Sequence, residues 1–444
     1  MRIAIFTDTY KPQTDGIITS IIQFSGILAD EGHEIMIFCP KYKKNDVDPK
    51  HKNITIKRYY SVSFVNYKHA RVALPSLITM LKDLRKFKPD VVHVQTPLII
   101  GIVSLFAAKI LRLKNIQTYH SYIPDFMVYV KPKTLPGMQK FIGQVRGNGS
   151  IGSIKKALRS EIVEDKGSKF IGFKLVDKIG DLSEEVSKGD QKMADKIAWE
   201  LTRKVYNRAN LVLTPTNALK KEIEKHGVKK RIEVLSNGID LDYFKKKNDY
   251  VPRKNLIHVG RIGFEKNVEV VIKAISIAAK DMPGIKLDIV GTGPAEKKLN
   301  EIVNALGVKK NVRFLGFIPR EKLKDLYCKY DAFITASTME TQGLVILEAM
   351  SAGLPAIGVD KLAVPDMIKH EVNGYISKPY NEKEMAKNIL KLYRDPSRLQ
   401  SFGEQSLELA KKHDVKKCAE KLLEYYKEYA KRRTHARAKA VKVK

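Results

Sequence analysis

The sequence is poor in cysteine, and it has no hydrophobic run long enough to cross a bilayer. Its three cysteines, Cys39, Cys328 and Cys418, lie far apart in 444 residues without CxxC spacing. This pattern argues against a disulfide framework and against a zinc site. The longest apolar stretch, residues 98–108, predicts a buried helix. The N-terminal segment lacks a signal-peptide pattern, so we expect a cytoplasmic protein.

Acidic residues are also scarce relative to basic ones. The chain has 81 Lys and Arg against 49 Asp and Glu, a formal net charge of +32. Such an excess favours a polyanionic neighbour: nucleic acid, an anionic membrane leaflet or a diphosphate substrate. A lysine-rich proteome would give the same excess with no such partner. Because the sequence has no nucleic-acid-binding motif, the charge supports a membrane surface without identifying one.

The length and the alternation of strand and helix patterns predict an α/β protein with two domains. A chain of 444 residues exceeds what one core usually supports. Short apolar runs alternate with longer helical patterns, which indicates two Rossmann-like, doubly wound domains that face a cleft. The first predicted helix covers residues 16–31. The predicted strands are residues 3–6, 34–38, 91–94, 115–118, 211–214, 232–235, 256–259, 287–290, 313–315, 332–335 and 356–359.

The predicted domain boundary lies at the Asn237-Gly238 turn. Residues 1–238 form the N-terminal domain, interrupted by an irregular insertion over about 131–192 that mixes basic and apolar residues. Residues 239–405 form the C-terminal domain. Residues 406–430 are C-terminal helices, the last returning to the N-terminal domain. The basic segment 431–444 has few large apolar residues and predicts a disordered tail.

Two glutamates in the C-terminal half, Glu340 and Glu348, carry the strongest chemical signal. They bracket seven largely apolar residues, and a helix over 343–352 would place its N-terminal amides at the expected cleft. Two glutamates at this spacing are common on solvated helices. The apolar surroundings favour a ligand or a cation partner instead, because a buried unpaired carboxylate is unfavourable.

Cations follow the first strand of the same half. Arg261 and Lys266 lie in a loop between a predicted strand and helix, where they could stabilise the charge that develops on a diphosphate leaving group. A solvated basic loop is an equally good reading of this segment alone. Gly291, in a Gly-Thr-Gly-Pro turn after the next strand, is a weaker phosphate-binding signal.

In the N-terminal half, a glycine and a histidine follow predicted strands. Gly16 lets the backbone approach an anion at a helix N-terminus, but the loop is not GxGxxG, which weighs against a nicotinamide dehydrogenase. His120 follows the strand at 115–118 and is expected to face the cleft. Two Asp-x-Asp matches, at 46–48 and 240–242, are interpreted as solvated loops rather than metal sites.

In this order along the chain, these elements resemble glycosyltransferase family 4, of the GT-B fold. The resemblance implies that Arg261 and Lys266 hold the donor diphosphate and that Gly16 contacts its phosphate. It further implies that Glu348 binds the ribose hydroxyls, that Glu340 binds the transferred sugar, and that His120 acts at the sugar or the reaction centre. Gly291, Gly343 and Leu344 complete the implied donor site. One departure is the single Gly16, where many relatives have two glycines.

The resemblance also implies a reaction, a retaining hexose transfer from a nucleotide-diphosphate sugar without a metal or other cofactor. The segment 118–126 is similar to diacylglycerol glucosyltransferases, with Tyr122 and Asp125 as acceptor-binding candidates. We therefore expect UDP-glucose as donor, a membrane lipid as acceptor, and a peripheral position on the inner face of the cell membrane. A transferase for soluble sugars or polysaccharide precursors is the alternative, and a basic nucleic-acid-binding protein is a distant one.

Overall fold

A computed structural model of the protein describes residues 1–13, 15–42, 48, 50–64, 67–120 and 191–441. Several predicted features lie outside these residues. They are Tyr122, Asp125, nearly all of the predicted insertion and the first Asp of the 46–48 pair. The described chain forms two compact units. Unit 1 consists of residues 1–214, 220–234 and 421–444, and unit 2 of residues 215–219 and 235–420.

Unit 1 is built on a seven-stranded parallel sheet with strand order β3-β2-β1-β6-β7-β8-β9. Its central strands are buried apolar runs, as expected for a parallel sheet covered on both faces. The order reverses between β1 and β6, so the carboxyl ends of these strands form a switch point. The strands are β1 (Arg2–Phe6), β2 (Glu34–Pro40), β3 (Ile54–Tyr59), β6 (Val91–Val94), β7 (Asn115–Thr118), β8 (Leu211–Thr214) and β9 (Ile232–Val234), with an antiparallel pair β4 (Ser61–Phe64) and β5 (Tyr67–Ala73).

Helices follow the strands of unit 1. The first begins where Asp15 accepts a hydrogen bond from the amide of Ile18 at 2.8 Å and ends before Gly32, which has φ 85°. The helices are α1 (Gly16–Asp30), α2 (Leu77–Phe87), α3 (Ile99–Ile110) and α4 (Gln191–Tyr206). Helix α5 (Asn217–Lys225) begins in unit 2 and ends in unit 1.

Unit 2 repeats the architecture with a six-stranded parallel sheet in the order β12-β11-β10-β13-β14-β15. Its switch point lies between β10 and β13, and an apolar cluster covers each face of the sheet. The strands are β10 (Asn255–Val259), β11 (Lys286–Val290), β12 (Val312–Gly316), β13 (Ala332–Ile334), β14 (Ala356–Val359) and β15 (Gly374–Ser377). The helices are α6 (Val268–Asp281), α7 (Glu296–Ala305), α8 (Arg320–Leu323), α9 (Leu344–Ser351), α10 (Val364–Met367), α11 (Glu382–Arg394), α12 (Ser397–Ala410) and α13 (Val415–Val441), the last of which continues into unit 1.

The C-terminal helix differs from the expectation of a disordered tail over 431–444. Helix α13 continues to Val441. The segment is rich in alanine, lysine and arginine, which have high helix propensity and can extend a helix whose earlier turns are packed. The lack of large apolar residues in this segment therefore argues against a place in a hydrophobic core, but it does not argue against a helix.

Candidate active site

The loop after β10 presents two cations at the switch point of unit 2. A short 3-10 turn, Phe264–Lys266, joins this strand to α6. Arg261 Nη2 donates to Glu265 Oε1 at 2.6 Å, and Lys266 Nζ donates to Glu340 Oε1 at 2.6 Å. Since Glu340 follows β13, the neighbour of β10 in the sheet, the topology explains how residues 74 positions apart meet.

Lys266 determines the charge of Glu340. The carboxylate is only 9% exposed, and this burial would raise its pKa. The attraction and hydrogen bond of Lys266 outweigh burial, with smaller contributions from Ser337 and His258, so the pKa of Glu340 lies below its usual value. Glu340 is therefore charged at neutral pH, and its carboxylate can accept hydrogen bonds from a polar ligand.

A side chain that the sequence did not point to fixes the Glu340 loop. Gln342 donates through Nε2 to Ser236 Oγ at 2.6 Å, and its Oε1 accepts from the amide of Asn237 at 3.0 Å. The amide of Ala363 donates to the carbonyl of Glu340 at 3.1 Å. Nothing in the sequence around Gln342 distinguishes it, so only its folded position shows its role.

Helix α9 begins directly after this loop. Gly343 has φ 76°, a conformation that favours glycine. No side chain among the described residues caps the helix at Gly343. The amides of Leu344 and Val345 begin this helix and could receive a phosphate, whereas the amide of Ile346 donates to the carbonyl of Gly343 at 2.9 Å.

Gly291 has a structural role in addition to the expected ligand contact. A Cβ at this position would lie 1.8 Å from the carbonyl oxygen of Gly260, and one at Gly293 would lie 2.3 Å from that of Ile262. The loop after β11 thus crosses the loop of Arg261 at backbone contact. The crossing holds Arg261 at the end of the sheet and requires glycine at both positions.

Glu348, on α9, is held by two residues from the segment after β12. Tyr327 donates to Glu348 Oε2 at 3.0 Å, and Arg320 Nε donates to Oε1 at 3.3 Å. Arg320 also lies over the ring of Tyr243, 4.6 Å from its centroid. Burial raises the pKa of Glu348, and both partners oppose that rise. The sequence analysis identified neither partner.

His258 is a buried polar residue of unit 2 that the sequence analysis missed. It lies within β10, and its Nδ1 donates to the carbonyl of Ile334 at 2.9 Å. Its Nε2 has no hydrogen-bond partner among the described residues. Burial lowers the pKa of His258 to about 4, so the ring is neutral and Nε2 is a free acceptor beside Lys266 and Glu340. Within an apolar strand pattern, His258 gave no separate signal.

In unit 1, His120 follows β7 as expected and is 6% exposed. Its Nε2 lies 2.6 Å from Gln95 Oε1, and its Nδ1 has no partner among the described residues. Burial lowers the pKa of His120 to about 3. The ring is thus neutral at physiological pH and suits a neutral hydroxyl better than an anion.

Gly16 is the first residue of α1, but an acidic side chain already occupies the end of that helix. Asp15 Oδ1 accepts from the amide of Ile18 at 2.8 Å, and its Oδ2 lies 3.1 Å from Thr9 Oγ1. Part of the helix N-terminus is therefore satisfied internally. The expected contact between Gly16 and a phosphate stays a prediction.

Two family models match consecutive parts of the chain. The model described as Glycosyltransferase Family 4 matches residues 14–148 and 178–243, and that of Glycosyl transferases group 1 matches residues 240–409. The chain belongs to glycosyltransferase family 4. It is therefore a glycosyltransferase, which the resemblance had implied, and the Lys266–Glu340 pair lies inside the second matched region.

Two relatives of this family 4 enzyme are both named alpha-monoglucosyldiacylglycerol synthase. That of Streptococcus pneumoniae is 29% identical over 88% of this chain and 78% of its own length. That of Acholeplasma laidlawii is 23% identical over 91% of this chain and 92% of its own. The chain is thus similar to diacylglycerol glycosyltransferases over nearly its full length, as the sequence analysis predicted.

Solved structures confirm the fold. The sucrose-phosphate synthase of Thermosynechococcus elongatus superposes with a TM-score of 0.67 at 16% identity, covering 96% of this chain and 98% of its own. The Anabaena protein HepE, in complex with UDP and glucose, superposes with a TM-score of 0.66 at 17% identity, covering 96% of this chain and all of its own. This family 4 enzyme has the GT-B fold, with two Rossmann-like domains.

Two properties of the described residues concern metal ions and membranes. The described residues contain no group of three or more His, Cys, Asp or Glu side chains placed to hold a metal ion. No helix within the described part of the chain combines the length and apolar character needed to cross a bilayer. The Asp240-Leu241-Asp242 pair lies in unit 2 with both carboxylates exposed.

Proposed function

We propose that this glycosyltransferase moves a glucosyl group from UDP-glucose to a membrane lipid such as diacylglycerol, with retention of configuration and without a metal. The observation that carries the proposal is the Lys266–Glu340 pair at the switch point of unit 2. The names of the two relatives support a lipid acceptor, and the UDP and glucose of the Anabaena complex support the donor.

Lys266 and Arg261 would bind the donor diphosphate. Each is paired with a carboxylate at 2.6 Å in the structure, so both are held at the switch point before a ligand arrives. An ammonium and a guanidinium neutralise a diphosphate as a divalent metal would. The first-turn amides of α9 add partial positive charge of the same kind.

The two glutamates would bind hydroxyls. Glu340, held charged by Lys266, can accept hydrogen bonds from the transferred sugar, and Glu348 from the ribose. Their different environments suit different partners, because Glu348 also accepts from Tyr327 and Arg320 and its pKa is raised. In unit 1, His120 would accept from a hydroxyl of the sugar.

The transfer breaks the bond between the anomeric carbon and the diphosphate oxygen, and the electron pair leaves with UDP. The acceptor hydroxyl oxygen bonds to the anomeric carbon on the same face, and its proton passes to the leaving diphosphate oxygen. The cations of unit 2 stabilise the charge that develops on the leaving group. No enzyme nucleophile is required.

A cationic groove on unit 1 supports action at an anionic membrane surface. It has a volume of about 380 Å³. Arg208 is partly buried there and donates to the carbonyl of Lys204 at 2.8 Å, and burial lowers its pKa. Among the groove cations, Lys204 forms an ion pair with Glu200 at 2.7 Å. The groove is lined by Arg203, Lys204, Asn207, Arg208, Gly227 and Lys229.

Such a groove could hold lipid phosphates, each basic group near an anionic leaflet contributing about 1 kcal/mol. With the net charge of +32, it supports a peripheral enzyme on the inner face of the cell membrane. Lipid phosphates would then keep the enzyme beside its acceptor.

The test is UDP release from UDP-glucose with vesicles of phosphatidylglycerol and diacylglycerol, with products analysed in parallel. The proposal predicts lipid-dependent release and an α-linked glucolipid. Release only with soluble sugar acceptors would contradict the lipid acceptor. Turnover only with another sugar nucleotide, such as GDP-mannose, would contradict the donor.

A further inference from the structure

A series of uncharged side chains in unit 1 makes successive polar contacts that lead to His120. Tyr426, on α13, has its hydroxyl 2.6 Å from His93 Nδ1, and His93 Nε2 lies 2.7 Å from Thr118 Oγ1. Gln95 places its amide nitrogen 3.2 Å from His93 Nδ1 and its Oε1 2.6 Å from His120 Nε2. The C-terminal helix thus connects to His120 through His93 and Gln95.

The geometry selects one tautomer of His120. An amide oxygen only accepts hydrogen bonds, so the nitrogen that faces it, Nε2, carries the proton. A neutral imidazole has one N–H, and Nδ1 is then a lone-pair acceptor. That atom is buried without a partner among the described residues. An unsatisfied buried acceptor is unfavourable, and a hydrogen-bond donor on a ligand would satisfy it.

We propose that Gln95 is a positioning residue that fixes His120 as the Nε2–H tautomer, so that Nδ1 accepts from a sugar hydroxyl, and that Tyr426 holds Gln95 through His93. This inference rests on the proposed function for the identity of the hydroxyl. It assigns the C-terminal helix a part in sugar binding, although Tyr426 lies 306 positions after His120 in the chain.

An amide is well suited to this position. Its oxygen accepts from His120 while its NH₂ group lies against the ring of His93, and it stays neutral where a carboxylate would not. Methionine has a similar length but provides neither the strong acceptor nor the donor. The Gln95→Met variant therefore removes both interactions while keeping most of the volume.

Tyr426→Phe removes the hydroxyl from His93 and leaves the ring in place. The matched control is Tyr429→Phe on the same helix, whose hydroxyl donates to the carbonyl of Asn210 at 3.0 Å, away from His120. Both variants lose one tyrosine hydroxyl from α13. They differ in whether that hydroxyl belongs to the series that ends at His120.

The experiment is NMR of the full chain labelled with ¹⁵N-histidine, with His120→Asn to assign the signal, beside steady-state kinetics. We expect Nε2–H and bare Nδ1 in the wild type, and mixed tautomers in Gln95→Met. That variant should lose about tenfold in kcat, and Tyr426→Phe a few-fold, with nucleotide affinity unchanged. Tyr429→Phe should keep the wild-type signal and rate.

A protonated Nδ1 in the wild type would overturn the inference whatever the activity, and so would wild-type kcat in Gln95→Met with mixed tautomers. The tautomer is measured without substrate. If it is as proposed but no sugar nucleotide is turned over, the fixed tautomer is supported and the proposed function fails.

Discussion

The two units place groups of different electrostatic character after the carboxyl ends of their strands. In unit 2 the carboxyl ends of β10 and β13 carry a charged pair, Lys266 and Glu340, 2.6 Å apart. In unit 1 burial raises the pKa of Asp8, after β1, to about 6 and lowers that of His120 to about 3. Under the proposed function, the charged pair of unit 2 would bind the anionic diphosphate and the neutral His120 of unit 1 would bind a sugar hydroxyl.

The largest effect should come from removing the charge in unit 2. In Lys266→Met, Glu340 would be a buried carboxylate without its cation, and the diphosphate would lose its ammonium. We expect turnover to fall about 10³-fold, measured as UDP release. The variant should also unfold at lower temperature.

The control for Lys266→Met is Arg253→Met. Arg253 also forms an ion pair, with Asp249 at 2.7 Å, but both side chains are more than 40% exposed. Exposed pairs contribute little, so this variant should keep nearly all activity and stability. Equal losses in the two variants would contradict a special role for the pair at the switch point.

The next effect concerns Asp8, the buried carboxyl group after β1 in unit 1. Asp8 accepts from the amide of Ile100 at 2.7 Å and from Thr96 Oγ1 at 2.8 Å, yet burial raises its pKa from 3.8 to about 6. The folded state then binds a proton more tightly than the unfolded state. Its contribution is complete below pH 3.8 and is lost as the pH rises through 6.

Asp8→Asn should abolish that slope. We expect the difference in unfolding free energy between wild type and variant to change by about 3 kcal/mol between pH 3.5 and pH 7, measured by urea titration. Asp30→Asn, at an exposed carboxylate, is the control. A pH-independent difference for Asp8→Asn would contradict the raised pKa of Asp8.

A smaller effect is expected at Glu348, the second carboxylate of unit 2. Glu348→Gln keeps its shape but loses the charge that Arg320 faces, so nucleotide binding should weaken about tenfold. The measurement is the Kd of UDP. Glu340→Gln should instead impair transfer while retaining UDP binding. The two variants together therefore distinguish the ribose contact of Glu348 from the sugar contact of Glu340. The same defect in both variants would contradict separate roles.

The smallest effect concerns the groove of unit 1. Arg203→Glu with Lys229→Glu should reduce binding to anionic vesicles several-fold, measured by flotation, because two favourable charges become unfavourable. Lys297→Glu with Lys298→Glu changes the net charge equally on exposed positions of α7. If both double variants bind equally weakly, the membrane responds to net charge and the groove has no special role.

The sequence predicted the repeating strands well because parallel strands are short buried apolar runs. The predictions for β6, β7, β8 and β14 match the observed bounds at both ends. It missed β3, which contains Lys57 and Arg58, and β15, which begins at Gly374. Edge strands bury less surface, so their apolar pattern is weaker.

The candidate site was predictable only in part, for a related reason. Lys266 and Glu340 stood out because charged residues followed apolar strands. Gln95, His258 and Arg320 gave no signal, since their importance lies in contacts with residues 25, 76 and 28 positions away. The roles proposed for Arg261, Glu348, Gly16 and His120 remain predictions for mutagenesis.

The most direct test of the difference between the two units is equilibrium binding of UDP, measured by calorimetry. The proteins compared are the wild type, Lys266→Met and His120→Phe. If the charged switch point of unit 2 holds the diphosphate, Lys266→Met weakens binding at least tenfold and His120→Phe leaves it unchanged. Unchanged binding in Lys266→Met, or a loss confined to His120→Phe, would contradict the assignment of the donor diphosphate to unit 2.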